Sequence, residues 1–422
     1  MKPAVASLLA ALVMFGCQST SAQQHPGQDQ APEVQRQHAL DLLTRLVGIN
    51  TTHPYGSTQA ADYLAAQALA AGFSTQEVTT LAPPGFPERG NVIVRLRGST
   101  KARAVLFIGH LDVVEAKRED WSVDPFQLTT AAGYLYGRGT LDMKGDDVAL
   151  LTGLMRMKRE GYVPKHDVIV ALTADEEAGA PPGTNGVDWL LHEHRDLIDA
   201  QLAFNPDSGG GASSGDRRLY MGLETSEKIF VTFGLEVTNK GGHSSLPEPD
   251  NAIYRLAAGL QRISKLDFPV RTNATTRAWF AAMASLESGQ LRQDMLAMTS
   301  SGSLDPDAVS RLESSIFYNA MLHSTCVATM INGGHAENAL PQRAAAMIQC
   351  RMLPDDSQGT VESTLVDALA DPDIKVSVIT PAAPGPESVA TAPIMSLVKS
   401  VSESIWPGVP VVPDMDAGAS DS

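Results

Sequence analysis

The chain has 422 residues, 43% of them hydrophobic and 19% charged, which describes a globular protein longer than one compact core normally holds, so two domains are expected. Its 48 acidic residues against 32 Lys plus Arg leave a net charge of −16, which argues against nucleic acid or an anionic membrane surface as a partner.

Lys2, a short apolar run from Ala4 to Phe15 and then small residues make 1–22 an export signal, too short to span a bilayer. Two outcomes stay open. Met14-Phe15-Gly16-Cys17 resembles, with imperfect outer positions, the lipid-attachment box of bacterial lipoproteins, with Cys17 as the acylated residue; cleavage after Ala22 would instead release a soluble periplasmic protein. Residues 23–32 are rich in Gln and Pro and read as a polar linker.

Apolar residues recur at helical spacing over 33–47, before Gly48, and over 57–71, before Gly72. Strands are expected at 91–96, 104–108 and 167–173, with a helix at 146–160 closed by Gly161, the pattern of an α/β domain with a mainly parallel sheet. After Glu224 the style changes: Ile229, Val231, Phe233, Leu235 and Val237 alternate, as in a strand with one solvated face. A helix at 251–263, a less regular stretch to 324 and strands at 326–331 and 344–353 complete a small α+β unit. Cys326 and Cys350 lie in apolar strand-like runs and read as buried free thiols, although export would permit a disulfide. A helix at 361–369, a strand at 374–379, a helix at 393–405 and a strand at 409–412 resume the α/β pattern. The expected architecture is an α/β domain in two parts, 33–224 and 356–422, interrupted by an α+β insertion over 225–355.

Side chains able to hold a metal recur just past the strand ends. The run Val168-Ile169-Val170-Ala171 leads into Asp175-Glu176-Glu177, where one Glu could bind a divalent metal and its neighbour serve as general base to activated water. His110-Leu111-Asp112 follows the strand at 104–108, a spacing in which the Asp can fix the ring tautomer of a metal-binding His. Asp142 lies in the glycine-framed turn Tyr136 to Gly145, which lacks the Walker spacing, and Asp207 follows the apolar residues 200–204. Read singly, each is an ordinary acidic turn or surface His. Together His110, Asp142, Glu177 and Asp207 suit zinc, with manganese or cobalt as substitutes. The lack of a basic cluster around them disfavours phosphate esters as substrates.

These blocks resemble the co-catalytic di-zinc hydrolases that include acetylornithine deacetylase, succinyl-diaminopimelate desuccinylase, glutamate carboxypeptidase and aminoacylase. The resemblance is carried, in family order, by Gly109 to Asp112, Gly137 to Gly145, Thr173 to Gly179, Asn205 to Gly210, Gly241-Gly242-His243-Ser244-Ser245, and Asn338-Ala339-Leu340-Pro341 followed by Arg351. It implies a zinc-dependent hydrolase that cleaves a peptide or N-acyl amide bond beside a free carboxylate. His110 and Asp207 would hold one metal and Glu177 the other, with Asp142 bridging the two ions of each subunit. Asp112 would orient His110, Glu176 would be the general base, and the Asp142–Met143 peptide would be cis. The insertion would be a lid through which the chain forms a homodimer. His243 would reach the active site, and Asn338 and Arg351 would grip the substrate carboxylate of a small peptide or N-acyl amino acid.

The family places a further metal-binding His beyond a turn that Asp416 to Ser422 resembles, and none follows here, so the sequence suggests a truncated chain with an incomplete second zinc site. The alternative reading is a catalytically silent relative that acts as a dimerising or metal-binding protein.

Overall fold

In the computed structural model, residues 32–177, 183–207, 210–215, 217–383, 385, 387–418 and 420 are described. The expected export signal, Cys17 and nearly all of the linker lie outside them, as do Ala178, Gly179, Ser208, Gly209, Asp421 and Ser422. Two compact units divide the chain, Met1–Gly211 with Ser420–Ser422, and Ala212–Ala419.

The first unit runs α1 (Glu33–Val47), α2 (Thr58–Ala70), β1 (Val78–Leu81), β2 (Asn91–Leu96), β3 (Ala104–His110), α3 (Lys144–Arg159), β4 (Val168–Thr173) and β5 (Ala200–Phe204). Successive side chains of a strand point to opposite faces. On one face Val92, Val94, Val170 and Leu172 pack with Leu42, Leu46, Leu64 and Leu151 of the three helices; on the other Ile93, Ile169 and Ala171 pack with Val187, Trp189, Leu190 and Ile198. Full burial of each such Val or Leu stabilises by about 1.5–3 kcal/mol, which explains why these strands read as unbroken apolar runs. The strand order is β1-β2-β4-β3-β5. The α/β class holds and the sheet is mixed: β3 pairs parallel with β4 and β5, whereas β1–β2 and β2–β4 are antiparallel. Residues 82–90 turn β1 straight back into β2 without a crossover helix, which only an antiparallel pair permits.

Lys144 anchors the start of α3. Its side chain is fully buried, and its ammonium donates to the carbonyls of Leu46 and Ile49 at 3.0 and 2.8 Å, neutralising the negative end of α1.

In the second unit β6 (Arg217–Glu227) pairs parallel with β11 (Val411–Asp416). A four-stranded antiparallel sheet is built from β7 (Ile229–Thr238), β8 (Thr325–Gly333), β9 (Arg343–Met352) and β10 (Ile374–Thr380), in the order β8-β9-β7-β10. One face is covered by α4 (Ala252–Ile263) and α5 (Gln358–Leu369), through Val231, Phe233, Leu256, Val361 and Leu365. The stretch expected to be irregular holds four helices, Ala274–Leu286, Gly289–Ala297, Pro306–Glu313 and Ile316–Leu322, around Trp279, Phe280, Met295 and Leu322.

Two sequence expectations change here. Residues 374–379 were assigned to the α/β part, but β10 edges the antiparallel sheet beside β7, and Ile374, Val376 and Val378 join its core. Cys326 and Cys350, expected as free thiols, form a disulfide, because the register of β8 and β9 sets them directly opposite each other.

Candidate metal centre

β3 and β4 lie side by side and end together, with His110 opposite Thr173. The Leu111 N–H donates to the Thr173 carbonyl at 2.7 Å and the Thr173 hydroxyl to the Gly109 carbonyl at 3.1 Å. Whatever follows either strand therefore emerges at one edge of the sheet, the usual ligand side of an α/β layer.

His110 is 2% exposed. Its Nδ1 lies 3.0 Å from the Asp112 carbonyl oxygen, so Nδ1 carries the donated proton and Nε2 is turned to the other side. Nε2 is buried with no hydrogen-bond partner among the described residues, yet carboxylate oxygens of Asp142, Asp207 and Glu176 lie 3.1, 3.6 and 4.0 Å away. The donor atoms of His110, Asp142 and Glu177 fall within 4.8 Å of one another, as do those of His110, Glu176 and Asp207.

Each carboxylate has a local reason for its place. The Asp142–Met143 peptide is cis; Met143 is fully buried and its sulfur accepts the His110 N–H at 3.2 Å, while Asp142 faces Nε2. Gly145 closes that turn by donating to Gly139, and a Cβ at 145 would meet the Thr140 carbonyl at 2.4 Å. At Asp207 the N–H donates to the Asn205 side chain at 3.0 Å. Glu176 and Glu177 are set by Asp112, whose carboxylate accepts both their N–H groups at 3.1 and 2.9 Å. This corrects the sequence reading of Asp112. Its carboxylate stands 3.7 Å from Nδ1 and is committed to the glutamate turn, while its main-chain carbonyl orients the imidazole.

The electrostatics describe a place built for positive charge. Burial opposes an imidazolium at His110, but the carboxylates of Asp142, Asp207 and Asp112 outweigh it and hold the ring well above its usual value. Asp142 is in turn held below the usual range by His110. Burial first, then Asp142, pushes Glu177 up to about 7; burial, then Asp207 and Asp142, pushes Asp146 up to about 7. A buried nitrogen without a hydrogen-bond partner, ringed by carboxylate oxygens, is a donor set that fits a divalent metal.

The remaining expected site residues lie in the second unit. His243 pairs opposite Ala339, with its Nδ1 2.7 Å from the Ser245 hydroxyl, and the Asn338 carbonyl accepts the Ser244 N–H at 2.9 Å. The Arg351 guanidinium lies 5.6 Å from the Phe230 ring centre, with Nη1 buried and without a hydrogen-bond partner among the described residues. Sequence reasoning passed over Asp146, the fully buried Asp147 and a cluster of His53, Arg89, Asn91 and Asp175 beside the glutamate turn. The only signal for the cluster was Asp175 itself, next to the glutamate pair.

The sequence profile of peptidase family M20/M25/M40 matches residues 106–422. The N-fatty-acyl-amino acid synthase/hydrolase PM20D1 of Mus musculus is 27% identical over 326 residues, 73% of this chain and 61% of that protein. A probable carboxypeptidase S-like 2 of Dictyostelium discoideum is 28% identical over 330 residues, 76% of this chain and 62% of that protein. The chain thus spans about three-fifths of the length of these curated relatives. The crystal structure of an M20 family metallo-carboxypeptidase, Sso-CP2 from Sulfolobus solfataricus, shares the fold with a TM-score of 0.62 at 17% identity, over 91% of this chain and 87% of that one.

Proposed function

The chain belongs to peptidase family M20/M25/M40, and on that premise we propose that it is a metal-dependent hydrolase cleaving a peptide or N-acyl amide bond beside a free carboxylate. The observation that carries this is His110 Nε2, buried without a hydrogen-bond partner among the described residues and facing the carboxylates of Asp142, Asp207 and Glu176. The substrate class is supported by the names of the relatives, an N-fatty-acyl-amino acid hydrolase and a carboxypeptidase. We assign zinc as the metal, with His110, Asp142, Glu177 and Asp207 as ligands. Bound there, zinc would acidify water and polarise the amide carbonyl. Glu176 would take the proton and pass it to the leaving nitrogen. Asp112 keeps Glu176 in reach by holding its N–H.

The test is Glu176→Gln, assayed on a panel of N-acyl amino acids and dipeptides. The expected result is a fall in kcat of roughly 10²–10⁴ with bound zinc retained. Turnover equal to the parent would remove Glu176 from its role.

We also propose export to the periplasm, either soluble after cleavage behind Ala22 or anchored through Cys17. The Cys326–Cys350 bond supports an oxidising compartment. The intact mass of protein from the periplasmic fraction should show a processed amino terminus and this disulfide; an unprocessed mass would reject export. A homodimer through the insertion is supported by β8, an edge strand with Val327, Met330 and Ile331 60–65% exposed.

A further inference from the structure

The glutamate turn is gripped from more than one side. Asp112 takes the N–H groups of Glu176 and Glu177, and the Asn91 side chain accepts the Ala174 N–H at 3.0 Å. Between these, Asp175 has a left-handed backbone, φ 60°, which is uncommon for an L-residue although Asp and Asn enter it more readily than most. Its side chain is 1% exposed and lies 3.1 Å from Arg89, whose own side chain is 8% exposed. Arg89 is fixed in turn by His53: one guanidinium nitrogen donates to the His53 carbonyl at 2.7 Å and another lies 3.3 Å from the imidazole Nε2.

A buried ion pair is weak support for stability, since an apolar pair of similar volume often serves as well. Its place beside the glutamates suggests another use. We propose that Arg89 and Asp175 are positioning residues for the metal centre: the pair locks the backbone at 175, so that Glu176 and Glu177 leave the turn pointing at His110. His53 holds Arg89 from behind. This rests on the reading of the site as a metal centre.

The test uses Arg89→Met, Asp175→Asn and the double variant, measuring the thermal midpoint of metal-stripped protein and zinc affinity by competition with a chromophoric chelator. Each single change leaves one buried charge without this partner, Arg89 keeping Glu88 at 3.6 Å and Asp175 keeping His53 at 3.8 Å, and lowers the midpoint. The double change strands neither and recovers most of the loss. Zinc should nonetheless bind about 10-fold or more weakly in all three, the usual scale for removing support behind metal ligands. A double variant that recovers both midpoint and affinity would show that the pair only stabilises, and would overturn the proposal. Asp175→Asn keeps the side-chain shape and the tolerance of a left-handed backbone, so it decides if the arginine variants do not fold: unchanged zinc affinity also overturns the proposal. His110→Ala, measured alongside, separates the two ideas. A parent that holds zinc no better than His110→Ala sinks the metal-centre reading and this proposal with it; a parent that holds zinc well, matched by Asp175→Asn, sinks the positioning role alone.

Discussion

Asp147 shows what a single residue can conceal. It lies in the first turn of α3, where a helix dipole favours acidic side chains, so nothing in the sequence marks it as unusual. In the structure it is fully buried with neither carboxylate oxygen hydrogen-bonded among the described residues, and Oδ1 sits so close to Gly109 that a Cβ there would come within 2.3 Å. Complete burial pushes its carboxyl well above the usual range. The unfolded chain therefore ionises first, and the native state loses stability as pH climbs from the ordinary carboxylate value toward the folded one. Asp147→Asn lacks that penalty. Its urea midpoint relative to the parent should rise between pH 5 and pH 8; a constant difference would mean that Asp147 is not held neutral. By contrast His110, Asp142, Glu176, Glu177 and Asp207, which the structure gathers at one sheet edge, stood out in the sequence through the order of the family-like blocks; read singly, each was an ordinary acidic turn or surface His. The division of labour within Asp112 was not legible: carbonyl and carboxylate belong to one letter, and only coordinates separate them.

At the scale of elements, the strands that carry the centre could be read because each is buried on both faces or alternates cleanly. The sheet to which β10 belongs could not, since Ile374, Val376 and Val378 would suit any sheet with one covered face. Nor could the disulfide, which depends on β8 and β9 pairing in one register. A bridge between residues separated by 24 positions should stabilise by about 3 kcal/mol through loss of unfolded-chain entropy. Urea unfolding with and without reductant measures this, and Cys326→Ala with Cys350→Ala should match the reduced parent. Equal midpoints in both conditions would show that the bond contributes nothing.

For the whole molecule, the α/β class and the presence of a second unit containing an antiparallel sheet were visible from the change of strand and helix pattern after Glu224, while the limits of the units depend on pairings between distant segments. The proposed dimer belongs at this scale. If a second copy covers β8, a charge on that strand must be desolvated on association, and Ile331→Asp should sediment as a monomer where the parent sediments as a dimer. A dimer that survives the change would place the interface elsewhere. The residues assigned to hold zinc all come from positions 110–207, within one unit. On that assignment, capture of the ion would be a local property of one stretch of polypeptide.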